Sequence, residues 1–153
     1  MSLLDQALAR RNALISEVTD ALRLIDGAGD GLSGLYLEAF ANHWLLSTTT
    51  AQIPPLVARW LEQQQRSIYH KCLSQHQKES PRHLHGAALD APFLARENDI
   101  RYEISFHSGY SQGIFLDQRD NRRRVRERCE IGQTVLNTFA YTGAFSVCAA
   151  LGG

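Results

Sequence analysis

Residues 134–151 read as a single strand–loop–helix unit, and a unit of that kind cannot stand alone. Thr134-Val-Leu-Asn137 is a short strand of buried type, Thr138–Gly143 a polar-aromatic loop, and Ala144–Leu151 a helix of small residues. A doubly wound α/β domain begins this way. One such unit cannot cover both faces of its own strand, and the parallel neighbours that the strand requires do not follow within the 153 residues. The expectation is an α+β domain over residues 1–107, then the first β–α unit of a Rossmann-like (α/β) domain over 108–153, incomplete.

The first 107 residues carry the signals of a complete core. Apolar residues from Leu3 to Val18 fall near helical spacing, which predicts one amphipathic helix over Ser2–Val18. Ala21–Ile25 reads as a strand. Asp26-Gly-Ala-Gly-Asp-Gly-Leu-Ser-Gly34 is a loop whose four glycines call for positive φ or close backbone approach. Leu35–Ala39 and His43–Thr48 flank Ala41-Asn42 as a hairpin. Pro54-Pro55 opens a helix with Ile53, Leu56, Val57, Trp60 and Leu61 as its apolar stripe. Ser67–Leu73 reads as a strand and Gln75–Arg82 as a polar, mobile loop. Phe93–Arg96 and Ile100–Phe106 bracket a turn at Glu97-Asn98-Asp99. The pairing expected throughout is antiparallel.

Composition narrows the function classes. The chain is 44% hydrophobic and 21% charged with zero formal net charge, so bulk charge points to no polyanionic partner. Residues 111–153 hold six arginines against Asp117, Asp120, Glu127 and Glu130, a weak local basic bias. Cys72, Cys129 and Cys148 show no CxxC spacing, which argues against zinc or a disulfide framework and for a reducing compartment. The histidines show no metal spacing beyond His83-x-His85, in what reads as a polar loop. No leader pattern is present, and no run nears the roughly 18 apolar residues of a membrane span. The expectation is a cytoplasmic protein without membrane contact.

A hydrophobic strand ending in Asn137, then a tight loop with Gly143 at the mouth of a helix, has the physics of a nucleotide-type cofactor site. On spacing alone, a plain βα turn explains it equally well. The residues themselves say more. Gly113-Ile-Phe-Leu-Asp-Gln-Arg-Asp-Asn-Arg122, followed by Val135-Leu-Asn-Thr-Phe-Ala-Tyr-Thr-Gly-Ala-Phe-Ser146, resembles the large-subunit ribosomal RNA cytosine-C5 methyltransferases and their close relatives. Asp30-Gly-Leu-Ser-Gly-Leu35 resembles the segment that opens the central domain of that family. Ser33 stands where proline is usual, Ala144 where a second glycine is usual, and Ser111-Gln112 where Lys-Thr is common.

The resemblance implies a class I S-adenosylmethionine-dependent RNA methyltransferase, with ribosomal RNA as partner. Residues 1–107 would be its central domain, a possible RNA-docking module. Phe115, Asp117, Gln118 and Arg119 would close over S-adenosylmethionine. Asn137, Phe139, Ala140, Tyr141, Thr142 and Gly143 would form the cofactor loop of the first strand. Read without the resemblance, Phe115 and Phe139 are candidates for core packing. Asp117 and Arg119 then serve as exposed charges at the start of a helix, Leu116–Arg128. The arginines of that helix face several directions. With Asp120–Arg124 and Arg123–Glu127 as i,i+4 pairs, they read as a solvated surface.

Methylation at cytosine C5 needs a cysteine thiolate that adds at C6 and makes C5 enamine-like. The family keeps that cysteine in a later motif, and none of Cys72, Cys129 or Cys148 corresponds to it. No catalytic nucleophile is therefore expected here. The other reading is a non-catalytic RNA-binding or interaction module, or the remnant of a truncated gene, with self-association through the incomplete C-terminal part.

Overall fold

Ser2 and Asp5 close a capping box at the head of α1 (Leu3–Asn12). The Ser2 hydroxyl accepts from the Asp5 N–H, and the Asp5 carboxylate accepts from the Ser2 N–H. The other Asp5 oxygen takes the Trp60 indole N–H at 2.8 Å. That bond first, and then those from Ser2, hold the Asp5 carboxyl below the usual aspartate range. The computed structural model describes residues 1–73 and 79–153. Helix α1 stops at Asn12, well short of Val18. Thr19 and Asp20 instead bind the distant hairpin of residues 93–104: the Thr19 hydroxyl accepts from the Asn98 N–H, and Asp20 exchanges backbone and side-chain bonds with Arg96. Those tertiary bonds outweigh the helical spacing.

Five strands form one sheet in sequential order: β1 (Ala21–Asp26), β2 (Leu35–Phe40), β3 (His43–Thr48), β4 (Ser67–Cys72) and β5 (Arg82–His85). The expected β2–β3 hairpin is present. β3 and β4 are parallel, against the antiparallel expectation, because α2 (Pro55–Glu62) carries the chain back across the sheet between them. β5 is a strand where Arg82 was read as the end of a loop and His83 and His85 as loop residues. Its polar sequence is that of an edge strand, pinned through the Tyr69–His83 pairing. Residues 74–78, from the segment expected to be mobile, lie outside the described residues.

The two faces of the sheet are covered differently. Leu4 and Ala7 of α1 and Val57, Trp60 and Leu61 of α2 pack on Leu24, Leu37, Trp44 and Leu46, with Trp44 and Trp60 stacked 6.1 Å apart. Leu56, assigned from sequence to the apolar stripe of α2, is 73% exposed instead, since at about 100° per residue it falls at the edge of the arc that Val57, Trp60 and Leu61 turn to the sheet. On the opposite face Phe40, Tyr69, Phe93 and Phe106 form an aromatic cluster. It sits beneath β6 (Phe93–Glu97) and β7 (Ile100–Ile104), a separate antiparallel pair. Asn98 and Asp99 turn that hairpin, both at positive φ, which these residue types tolerate. Glu97 remains in the strand and is buried.

In the glycine-dense loop, Gly34 has φ +77°, and a Cβ there would press on the Thr49 hydroxyl. Asp30, in the 3-10 turn of the same loop, has a fully buried side chain. It accepts the Asp26 N–H at 2.7 Å and two bonds from Arg11 at 2.8 and 3.0 Å, with Arg10 also at 3.0 Å. Burial opposes its ionisation, but those partners outweigh it and leave the carboxyl below the ordinary aspartate value.

The chain divides into two units, Met1–Gln112 and Gly113–Gly153. Residues 107–112 belong with the first. The Gln112 carbonyl accepts from the Ser105 N–H, and its side chain, at a position where the resemblance leads one to expect Thr, accepts from Lys71 Nζ at 2.8 Å. In the second unit a 3-10 turn (Leu116–Gln118) leads into α3 (Arg119–Arg128), which packs on α4 (Ala144–Gly152). The approach is close: a Cβ on Gly152 would overlap the Arg126 carbonyl. Thr134–Asn137, expected as a strand, forms no ladder, and Leu136 is 85% exposed. A strand of this type is held by neighbours on both sides, and none is described in this unit.

Candidate cofactor-binding site

Gly113 is the point on which the second unit converges. Its N–H donates to the Tyr141 hydroxyl at 3.2 Å, and its carbonyl accepts from the Thr142 hydroxyl at 2.7 Å. The Phe115 and Tyr141 rings meet at 5.2 Å. The pre-helical motif and the loop of residues 138–143, some 25 residues apart in sequence, therefore form one surface. Tyr141 adopts φ +48° and the Gly143 N–H closes a turn on the Ala140 carbonyl. A positive φ at tyrosine stores of the order of 1 kcal/mol of strain, a feature that recurs at ligand sites.

The other residues expected at the site are placed differently from one another. Asn137 sits close to the mouth of α4, donating to the Ser146 hydroxyl at 3.0 Å. Asp117, Gln118 and Arg119 engage their own neighbours: Gln118 donates to Asp117 at 2.8 Å and accepts from Asn121, and Arg119 meets Asp120 at 3.6 Å, where i,i+4 spacing pointed to Arg124. The Arg123–Glu127 pair forms as expected, at 3.1 Å. Phe139 is 93% exposed and Ala140 is also exposed, so neither packs in a core.

Helix α4 starts at Gly143 without a side-chain cap, leaving the first-turn N–H groups open at its positive end. A Cβ at Gly143, φ +77°, would meet nothing within 4 Å. Open backbone donors, a glycine mouth and two adjacent aromatic rings suit a ligand that carries a carboxylate and an apolar, cationic or planar portion.

Sequence reasoning missed Arg122. It was read as one of several solvated arginines, yet it is buried, donating to the Phe115 carbonyl at 2.8 Å and lying 5.9 Å over the Phe145 ring. Local spacing carried no signal of this, because its partners, the Phe115 carbonyl and the Phe145 ring, are brought to it by the packing of α3 on α4. Among the described residues no group of three or more His, Cys, Asp and Glu side chains is placed to hold a metal, and no helix is long and apolar enough to cross a membrane. None of the three cysteines forms a disulfide among the described residues, and Cys148 is buried.

The S-adenosylmethionine-dependent methyltransferase family model matches residues 36–153. The chain belongs to that family. A ribosomal RNA large subunit methyltransferase assignment is carried by a Bacillus subtilis relative, YwbD, 35% identical over 96% of this chain and 39% of its own length. A Deinococcus radiodurans ribosomal RNA large subunit methyltransferase is 34% identical over 98% of this chain and 41% of its own. Among solved structures, a methyltransferase complexed with SAH matches with a TM-score of 0.84 and 32% identity over 99% of this chain and 40% of that one. A SAM-dependent methyltransferase from Streptococcus mutans gives the same TM-score and identity over 99% of this chain and 41% of that one. The α+β domain with Rossmann-like elements expected from the sequence is the architecture these structures share. The family member therefore spans about two-fifths of the length of these relatives.

Proposed function

We propose that this chain provides the central domain and the start of the methyl-transfer domain of a methyltransferase acting on large-subunit ribosomal RNA, with cytosine C5 as its target. The observation that carries this reading is the meeting of Phe115, Tyr141 and Thr142 at Gly113, beside the uncapped start of α4. S-adenosylmethionine, when bound, supplies an electrophilic methyl group. The first-turn N–H groups of α4 would hold its carboxylate, with Asn137 and Thr142 at the same mouth. Phe115, Phe139, Ala140 and Tyr141 would shield its apolar and cationic parts from water. Asp117, Gln118 and Arg119 would fix the entry of α3, and Gly143 would admit the ligand close to the backbone. The RNA target rests on the names of the relatives, and C5 rests on the motif resemblance.

One loop and one helix start make a weak site, since they offer no acidic side chain to the ribose hydroxyls of the kind a second strand would bring. A nuclear magnetic resonance titration with S-adenosylmethionine should give a dissociation constant on the order of millimolar. Shifts should centre on Phe115 and on Gly143–Ser146. Shifts confined to residues 1–112 would sink the assignment of the site. Purified chain should transfer no labelled methyl group to unmodified ribosomal RNA, because none of Cys72, Cys129 and Cys148 corresponds to the nucleophile that the motif resemblance implies, and Cys148 is buried.

A second reading is favoured by one observation: Ile131, Leu136 and Phe139 are all more than four-fifths exposed. Apolar surface of this kind is commonly covered by association. Light scattering over a concentration series should show a dimer or larger species. A Phe139→Ser, Leu136→Ser chain should shift it towards monomer. A wild-type chain that stays monomeric at high concentration would remove this reading.

A further inference from the structure

Both ends of the Gln112 carboxamide are engaged, and the residue is buried although it closes a surface loop. Its Nε2 donates to the Gly109 carbonyl at 3.2 Å and to the Tyr110 carbonyl at 2.7 Å, while its Oε1 accepts from Lys71 Nζ at 2.8 Å. The Gln112 main-chain carbonyl accepts from the Ser105 N–H at 3.0 Å, so residues 105–112 form a loop closed around this side chain. Threonine, which the resemblance leads one to expect here, carries a single hydroxyl and could not make all of these side-chain bonds.

Lys71 ties that loop to β4. Its Nζ also donates to the Tyr110 carbonyl at 3.2 Å and lies 4.7 Å from the centre of the Tyr110 ring. Hydrogen bonds from an ammonium are roughly twice as strong as neutral ones, and the ring adds a cation–π contact. The Gly109 N–H donates to the Ser80 hydroxyl at 2.9 Å, and the His107 Nε2 donates to the Leu89 carbonyl at 2.8 Å, which holds the loop from its other side. What the loop fixes is the direction of one N–H. The peptide joining Gln112 to Gly113 is trans and planar, so its C=O and N–H point opposite ways. With the C=O held on Ser105, the N–H is aimed as well, and it meets the Tyr141 hydroxyl at 3.2 Å. Gly113 then turns the chain at φ +134°, a conformation that residues with a side chain rarely adopt.

We propose that Lys71 and Gln112 are positioning residues for the candidate cofactor surface. By closing residues 105–112 they aim the Gly113 N–H that holds the Tyr141 hydroxyl, and with it the ring that meets Phe115. Neither residue touches the cofactor in this role. The step to S-adenosylmethionine rests on the cofactor reading above, whereas the aiming of the Gly113 N–H does not.

The test follows the Gly113 amide signal of the ¹⁵N-labelled chain, first free and then titrated with S-adenosylmethionine. Wild type is compared with Lys71→Met, Lys71→Arg, Gln112→Thr and Tyr141→Phe chains. Tyr141→Phe removes the acceptor and marks where the unbonded Gly113 signal lies. Lys71→Met and Gln112→Thr should move the signal towards that position. Lys71→Arg, which keeps the charge and more than one donor, should leave it near that of wild type. Urea unfolding followed by tryptophan fluorescence should be unchanged, because Trp44 and Trp60 report the core on the other face of the sheet. Gln112→Thr alters no strand and carries the test should Lys71→Met lose stability. On titration, Lys71→Met and Gln112→Thr should each weaken binding about fivefold, and Lys71→Arg should stay within about twofold of wild type. In a Tyr141→Phe background Lys71→Met should weaken binding no further, since both changes act on one bond. A Gly113 signal unmoved by Lys71→Met and Gln112→Thr would overturn the proposal, as would a moved signal with wild-type affinity. A wild-type chain without any S-adenosylmethionine shifts would remove the cofactor reading instead, and the free-chain Gly113 signal would still decide whether these two residues aim the N–H.

Discussion

Replacing Asp30 with alanine should lower the stability of the first unit by about 2–3 kcal/mol, the scale for removing one partner of a buried, hydrogen-bonded charge pair whose arginines can regain water. The Asp26 N–H would lose its acceptor, Arg11 would lose two bonds, and the 3-10 turn would lose its tie to α1. Arg10, more than half exposed, adds little. Urea denaturation followed by tryptophan fluorescence checks this directly, because both tryptophans, Trp44 and Trp60, lie in this core. The pH dependence has a definite sign. The folded carboxyl titrates below its ordinary value of 3.8. Its stabilisation is therefore complete well above that value and is lost as pH falls through the lower folded value. An Asp30→Asn chain should show a shallower loss of stability in that acid window. A variant as stable as wild type at neutral pH would show that Arg10 and Arg11 are not held by this carboxylate.

The second unit should depend as strongly on Arg122. Arg122→Ala leaves the Phe115 carbonyl without its donor and opens space beneath Phe145, a change expected to cost about 2–4 kcal/mol. Arg122→Lys should recover little, since an ammonium cannot both reach the carbonyl and lie flat over the ring as the guanidinium does. Hydrogen exchange should show the amides of Val125, Cys148 and Ala149 losing most of their protection in the alanine variant. Protection equal to wild type would mean that Arg122 is buried without holding α3 to α4. Because Phe115 belongs to the proposed cofactor surface, the same variant should also lose the S-adenosylmethionine shifts at Gly143–Ser146.

The sequence alone determined the elements whose cause is local. Proline in the first turn of α2, the turn between β6 and β7 and the glycines of residues 27–34 act within a few residues of themselves, so spacing and residue type sufficed. The motif at residues 113–122 and 135–146 was legible as a family signature, and the family match over residues 36–153 agrees with it. Tertiary structure decided what depends on distant partners. Helix α1 ended at Asn12 because Thr19 and Asp20 had bonds to make with residues 96 and 98. The polar run Arg82–His85 became a strand because β4 offered an open edge. Arg122 left solvent because Phe115 and Phe145 gave its guanidinium a carbonyl and a ring. Val135 and Leu136 formed no strand because a strand is completed by its neighbours' hydrogen bonds, and apolar spacing within four residues carries no information about whether those neighbours are there.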